Sequence, residues 1–203
     1  MKDTIYSREQ YLRKKAAEKE PLNIQLTNNY AFRKLFKMNY IARGFLIALL
    51  GLDEEDVVKL EVIDPFEEGE NEEEKEGILD IKIYLNDNKK INIEMQNRYQ
   101  EDWTERSLFY NCRMFTEGLY HGQPYGDLEP CIHVGILDFD LMKTPGFHHH
   151  IKLLDIKTNE EYSSKLQFHV VQLKQVESAT EEEKQTELYY WAKLLAAKDW
   201  KQV

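Results

Sequence analysis

Strand-like and helix-like segments are interspersed along the 203 residues, which predicts an α/β domain. Three observations carry that prediction. Residues 78–85 and 90–96 alternate apolar and polar, the period of a strand with two different faces. Residues 103–117 place Leu108, Cys112, Phe115 and then Leu119 at helical spacing. Three more strand-like runs, 131–139, 149–156 and 166–173, follow. At 24.2 kDa the chain suits one domain, or one domain with an appendage, and can bury a sizeable core.

The elements can be justified in order. Ser7 and Gln10 have capping-box spacing, so a charged helix over residues 8–19 is expected, ended by Pro21. Residues 1–23 therefore read as a charged N-terminal arm. Asn28 or Asn29 can cap a second helix carrying Phe32, Leu35 and Phe36. A third, over 41–50, is closed by Gly51. Residues 56–64 read as a strand stopped by Pro65, and 66–76 as a solvated acidic loop. The alternating pair forms an antiparallel hairpin turning through Asn86, Asp87, Asn88 and Lys89, with one apolar and one polar face. Asp102 with Glu105 opens the helix over 103–117, and Gly118 ends it. Its apolar stripe is expected to face the core, which makes Cys112 a buried structural thiol. Ser178 with Glu181, or Thr180 with Glu183, opens a last helix through Leu195. Leu188, Trp191 and Leu195 give it a stripe for the core or a partner subunit, so residues 177–203 form a C-terminal helical segment and a homodimer is an option.

Charge excludes less than its total implies. The net charge of −10 argues against a nucleic-acid partner when taken in bulk. Fourteen acids, however, lie between Asp53 and Asp80 against only Lys59 and Lys75. That window is −12, and the remainder of the chain is +2. No apolar run approaches the roughly 20 residues that span a bilayer, and the first 20 residues lack a signal-peptide core. No membrane association and a cytoplasmic location are expected. Cys112 and Cys131 form no CxxC pair, and no glycine-rich phosphate loop is present.

The hairpin carries the chemistry. Its apolar positions are odd-numbered in both strands, so paired numbers must sum to an even value. A turn centred on Asp87 gives a sum of 174 and sets Asp80 opposite Glu94, with Gln96 on the same face. Two facing carboxylates repel unless something offsets them. Mg²⁺ or Mn²⁺, which prefer hard oxygen ligands, would do so through Asp80, Glu94 and the backbone carbonyl of Met95. Gln96 could then orient a water for attack on a phosphate. The alternative is a pair of exposed acids balanced by lysines such as Lys82 or Lys90.

Asp80 within Ile-Leu-Asp-Ile-Lys-Ile, followed by Ile-Glu-Met-Gln at residues 93–96, resembles the PD-(D/E)XK nuclease superfamily. More narrowly it resembles the recombination-promoting nuclease (Rpn) and PD-(D/E)XK nuclease family transposase group. The stretch Thr27-Asn28-Asn29-Tyr30-Ala31-Phe32-Arg33-Lys34-Leu35-Phe36 is similar to that group's opening helix, and residues 24–175 follow its order. The resemblance implies a mixed central β-sheet flanked by α-helices, a restriction-endonuclease-like core spanning residues 24–176. It also implies metal-dependent endonuclease action on double-stranded DNA, linked to mobile elements or recombination, with Asp80, Glu94 and Gln96 as catalytic residues. Three features depart from the family pattern. Leu79 stands for the eponymous proline, Gln96 for the usual lysine, and Asn29 for a frequent aspartate. Gln96 carries no charge to stabilise a phosphoryl transition state, so a degenerate nuclease fold serving as a DNA-binding or protein-interaction module is the alternative.

Arg106, Tyr110, Arg113 and Glu117 share one helical face after the hairpin, with Arg98 nearby. They read either as a phosphate-contacting stripe or as a salt-bridged face. Arg33 and Lys34 on the opening helix are a second candidate phosphate surface. His148, His149 and His150 offer imidazoles for a transition metal, with the first and third on one strand face, but no third ligand is identifiable.

Overall fold

The hairpin folds in the register that its parity dictates. In the computed structural model, β2 (Ile81–Leu85) and β3 (Lys89–Gln96) pair antiparallel through Ile81↔Ile93, Lys82↔Asn92 and Ile83↔Ile91. The structure describes residues 10, 14, 17, 24–63, 81–86, 88–199, 201 and 202. The expected acidic loop over 66–76, Asp80, the turn residue Asp87 and most of the N-terminal arm lie outside the described residues.

β2 and β3 belong to a six-stranded sheet of order β1-β2-β3-β4-β6-β5, completed by β1 (Leu60–Ile63), β4 (Cys131–Leu137), β5 (His148–Leu154) and β6 (Glu161–Gln172). The central neighbours β3, β4 and β6 run parallel, and the outer pairs are antiparallel. The sheet is therefore mixed. β1 begins later than the sequence predicts, because Glu54–Asp56 form a 3₁₀ turn capped by Asp53.

One face carries the main core. Ile81, Ile83, Ile91, Ile93, Val134 and Ile136 pack under α1 (Asn29–Phe36), α2 (Asn39–Leu50) and α4 (Glu187–Ala196). The Asn28 side chain caps α1 by accepting from the Tyr30 and Ala31 amides, and Gly51 closes α2 with φ of 63°. α4 seats Leu188, Ala192 and Leu195 in this core, and Trp191 meets Phe45 edge-on at 5.9 Å. It starts later than expected. Thr180 and Glu183 do form a reciprocal capping pair, but only over a short 3₁₀ turn, and Thr186 caps the helix itself.

The opposite face overturns the alternative in which Glu94 is an exposed acid, and the expected burial of the Leu108 stripe. It is not wet: α3 (Trp103–Thr116) covers it, and Lys82, Lys90, Asn92 and Glu94 are all buried. Nor does α3 present its greasier stripe. Leu108 and Cys112 are exposed, while Trp103, Ser107, Tyr110, Asn111 and Met114 are buried. The cause is the partner surface. A sheet face bearing lysine, asparagine and glutamate must be covered by groups that can satisfy them. Asn111 bonds the Gln167 carbonyl at 2.9 Å. The Lys82 ammonium pairs with Glu117 at 2.9 Å. Lys90 donates to the Glu117 carbonyl at 2.7 Å and pairs with Glu129 at 3.2 Å. A cation there also complements the negative end of the helix dipole. Cys131 is the buried thiol instead, and burial pushes its pKa up to about 12. No helix among the described residues is long and apolar enough to cross a membrane.

Candidate active site

Glu94 sits near the C-terminal end of β3 with its carboxylate only 1% exposed. Strand alternation puts Glu94 on the α3 side and drives Met95, fully buried, into the main core. Gln96 lies two residues on, and its amide Nε2 donates to Glu94 Oε1 at 2.8 Å. Arg106, one turn into α3, donates to the same oxygen from Nε and Nη2, both at 2.9 Å. The Arg106 guanidinium also lies 5.0 Å from the centre of the Tyr110 ring, which flattens it against the helix. The result is a buried acid held between an amide and a cation, with the cation partly open to solvent.

Among the proposed site residues, the structure joins Glu94, Gln96, Arg106 and Tyr110 into one cluster. It does not use Lys82 or Lys90 to balance Glu94, since both lysines serve Glu117 and its neighbours. Arg98 is exposed in the loop between β3 and α3. Arg113 is half-buried on α3. Arg33 is half-buried and Lys34 exposed on α1, the latter 5.7 Å from the Tyr30 ring. The segment entering α1 reaches the cluster's end of β3, where Asn97 donates to the Thr27 carbonyl at 3.5 Å. Asn29, exposed, opens α1 on that side.

Two polar arrangements under α3 have no counterpart in the sequence reading. The Arg106–Glu94 pair links residues twelve apart, and the parity of β3 was the only available hint that Glu94 faces the helix. Asn92, on the same face, contacts His133 Nδ1 of β4 at 3.0 Å.

The histidine run divides by strand parity. His148 and His150 share a face with His169 of β6, whose ring stacks on theirs at 5.2 and 4.1 Å. His149 points to the other side and contacts the Gly146 carbonyl at 3.1 Å. His148 Nε2 meets His169 Nδ1 at 2.9 Å, so these nitrogens serve each other. Among the described residues no group of three or more His, Cys, Asp or Glu side chains is arranged to hold a metal ion. Glu94 contributes one hard oxygen donor of the type Mg²⁺ or Mn²⁺ accepts, and Asp80, the second acid, lies outside the described residues.

A mixed sheet with parallel central strands, helices on both faces and an Ile-Glu-Met-Gln strand end defines an α/β protein of the restriction-endonuclease-like PD-(D/E)XK type. The chain belongs to the PD-(D/E)XK nuclease family transposase family, whose model matches residues 26–202. No curated protein and no solved structure matches it.

Proposed function

We propose that this chain is a cytoplasmic, divalent-metal-dependent endonuclease that hydrolyses phosphodiester bonds in double-stranded DNA, in a mobile-element or recombination setting. The observation that carries the reading is the buried Glu94 carboxylate beside Gln96, in a chain of a nuclease family. Burying an acid costs free energy that folding alone does not require, which supports a chemical role for the site. The pairing sum of 174, continued one step past Ile81, would set Asp80 against Glu94. Asp80, Glu94 and the Met95 carbonyl are the ligands proposed for Mg²⁺ or Mn²⁺. Such an ion supplies an acidified water and charge neutralisation on the phosphate.

The chain's own residues do the rest. Gln96 holds Glu94 in a fixed rotamer and offers its amide to orient the attacking water. Arg106 neutralises Glu94 in the structure described. Released from it, the guanidinium would stand at the rim of the site as a phosphate donor, with Arg113 and Tyr110 along the same helix and Arg98 on the adjoining loop. Arg33 and Lys34 on α1 extend the cationic surface for the DNA backbone.

A second reading has a specific observation behind it. The Arg106 guanidinium already satisfies Glu94 as a cation, and Gln96 supplies no charge for a transition state. Both favour a degenerate fold that binds DNA or a protein without cutting.

Incubation with supercoiled plasmid and Mg²⁺ or Mn²⁺ separates them. Nicking by the wild type and its loss in Asp80→Ala and Glu94→Ala, each still folded by circular dichroism, is the expected result. Cleavage by both variants at the wild-type rate overturns the site. No cleavage by any of the three, with retained DNA binding, establishes the degenerate reading.

A further inference from the structure

Beside the Glu94 cluster, α3 does not seal fully onto the sheet. A half-open cavity of about 150 Å³ lies between the first two turns of α3 and strands β4 and β6. Trp103, Leu108, Leu141, Phe168 and Val170 make its walls almost wholly apolar, and His133 supplies an imidazole among them. Its mouth is greasy: Leu108 and Ile151, both on the lining, are 45% and 39% exposed.

The cavity is built into the strand. A Cβ placed on Gly135 would come within 2.6 Å of Trp103 Cζ2, so only glycine lets the indole lie flat on β4. That indole forms one wall.

The polar residues on the lining are Thr104, Ser107, His169 and His133, and His133 is 1% exposed. Its Nδ1 faces the Asn92 amide nitrogen, a donor, and therefore accepts. The ring proton then resides on Nε2, and Nε2 is buried with no hydrogen-bond partner among the described residues. Burial and the nearby Arg106 hold the ring's pKa down to about 3, so it is neutral near pH 7. A buried donor without a partner is uncommon and costly.

We infer that this cavity is a binding site for a small, planar, uncharged heteroaromatic molecule whose ring acceptor takes the His133 Nε2 proton. The size admits one ring, since an apolar protein cavity of about 150 Å³ takes a benzene. The apolar walls and neutral imidazole exclude ions. Trp103 and Phe168 offer aromatic surface to a flat ligand. The site is independent of the nuclease reading, because none of these residues is a proposed metal ligand.

The probe pair is pyridine against benzene, both uncharged at pH 7.5. Binding is followed by Trp103-region fluorescence and by the imidazole ¹⁵N resonance of His133. The wild type should bind pyridine about tenfold more tightly than benzene, the size of one net hydrogen bond. The Nε2 resonance should move with pyridine and stay with benzene. His133→Phe should erase the preference, and Val170→Trp should block both ligands. The wild-type comparison stands alone if either variant fails to fold. Equal affinity for the two probes, or no binding of either at millimolar concentration, overturns the inference. The latter would mean that Nε2 is served by water only.

Discussion

Acidification should unfold this protein through three histidines well before its carboxylates titrate. Burial holds His133 and His169 at about pKa 3 and His148 at about 4, against 6.5 for an exposed ring. The neighbouring charges push the same way: Arg106 on His133, His150 and His149 on His148, and His150, His148 and Lys152 on His169, with Glu183 a minor opposing influence on His148. The sign follows from linkage. A depressed base is neutral when folded but takes a proton when unfolded below pH 6.5, so the unfolded state binds more protons and stability decreases as the pH is lowered. The contribution is fully present above about pH 7 and is lost progressively as pH drops toward the folded values. At pH 5 each ring costs about 2 kcal/mol relative to pH 7.5, and the three together about 6 kcal/mol. That is comparable with the whole stability of a typical domain. Urea unfolding followed by tryptophan fluorescence at pH 7.5, 6 and 5 measures it. The midpoint should fall steeply while the m-value holds. His133→Phe should remove about a third of the slope. A stability that changes by less than about 1 kcal/mol over this range would refute the reasoning, because it would require the buried rings to be charged in the folded state.

Two substitutions test the packing under α3. Arg106→Ala leaves the buried Glu94 carboxylate without its guanidinium, and because Arg106 is 28% exposed the loss should be about 2–3 kcal/mol rather than the full cost of a buried pair. Urea denaturation measures it, and a loss under about 0.5 kcal/mol would mean that solvent serves Glu94 equally well. Gly135→Ala drives a methyl into Trp103 and should cost about 1–3 kcal/mol, with a shifted indole ¹H–¹⁵N resonance. An unshifted indole at full stability would mean that Trp103 does not lie on β4 as described.

What the sequence reveals and conceals about this fold has a physical basis. The register of β2 and β3 was legible because the pattern is local: Ile81, Ile83, Ile91 and Ile93 fix the parity, and a short turn fixes the centre. That the sheet is mixed follows from family likeness, but its strand order was not legible, since nothing local encodes that β4 pairs with β3 on one side and β6 on the other. The orientation of α3 was misread for an instructive reason. Leu108, Cys112 and Phe115 are its greasier stripe, and hydropathy alone points that stripe inward. Trp103, Ser107, Asn111 and Met114 form an equally regular helical stripe, and the sheet beneath them is polar. Burial there is decided by complementarity between surfaces far apart in sequence, such as Lys82 with Glu117 or Asn111 with the Gln167 carbonyl.

The consequence for function concerns where this protein accepts a stability cost. The main core needs no explanation beyond hydrophobic burial. The layer under α3 does, because Lys90, Asn92, Glu94 and His133 would each be replaceable by an apolar residue if stability were the sole demand. Glu94 is the acid of that layer. Deleting it would free Gln96 and Arg106 together, both bonded to its Oε1. A single carboxylate oxygen that organises an amide and a guanidinium, at the end of a parallel strand and within reach of solvent through the guanidinium, is poorly suited to holding a fold together. On the function proposed above, it is where one cation would be exchanged for another. This makes the Glu94 end of β3, rather than the histidine run or the cationic face of α1, the place where the chemistry of this chain should be sought first.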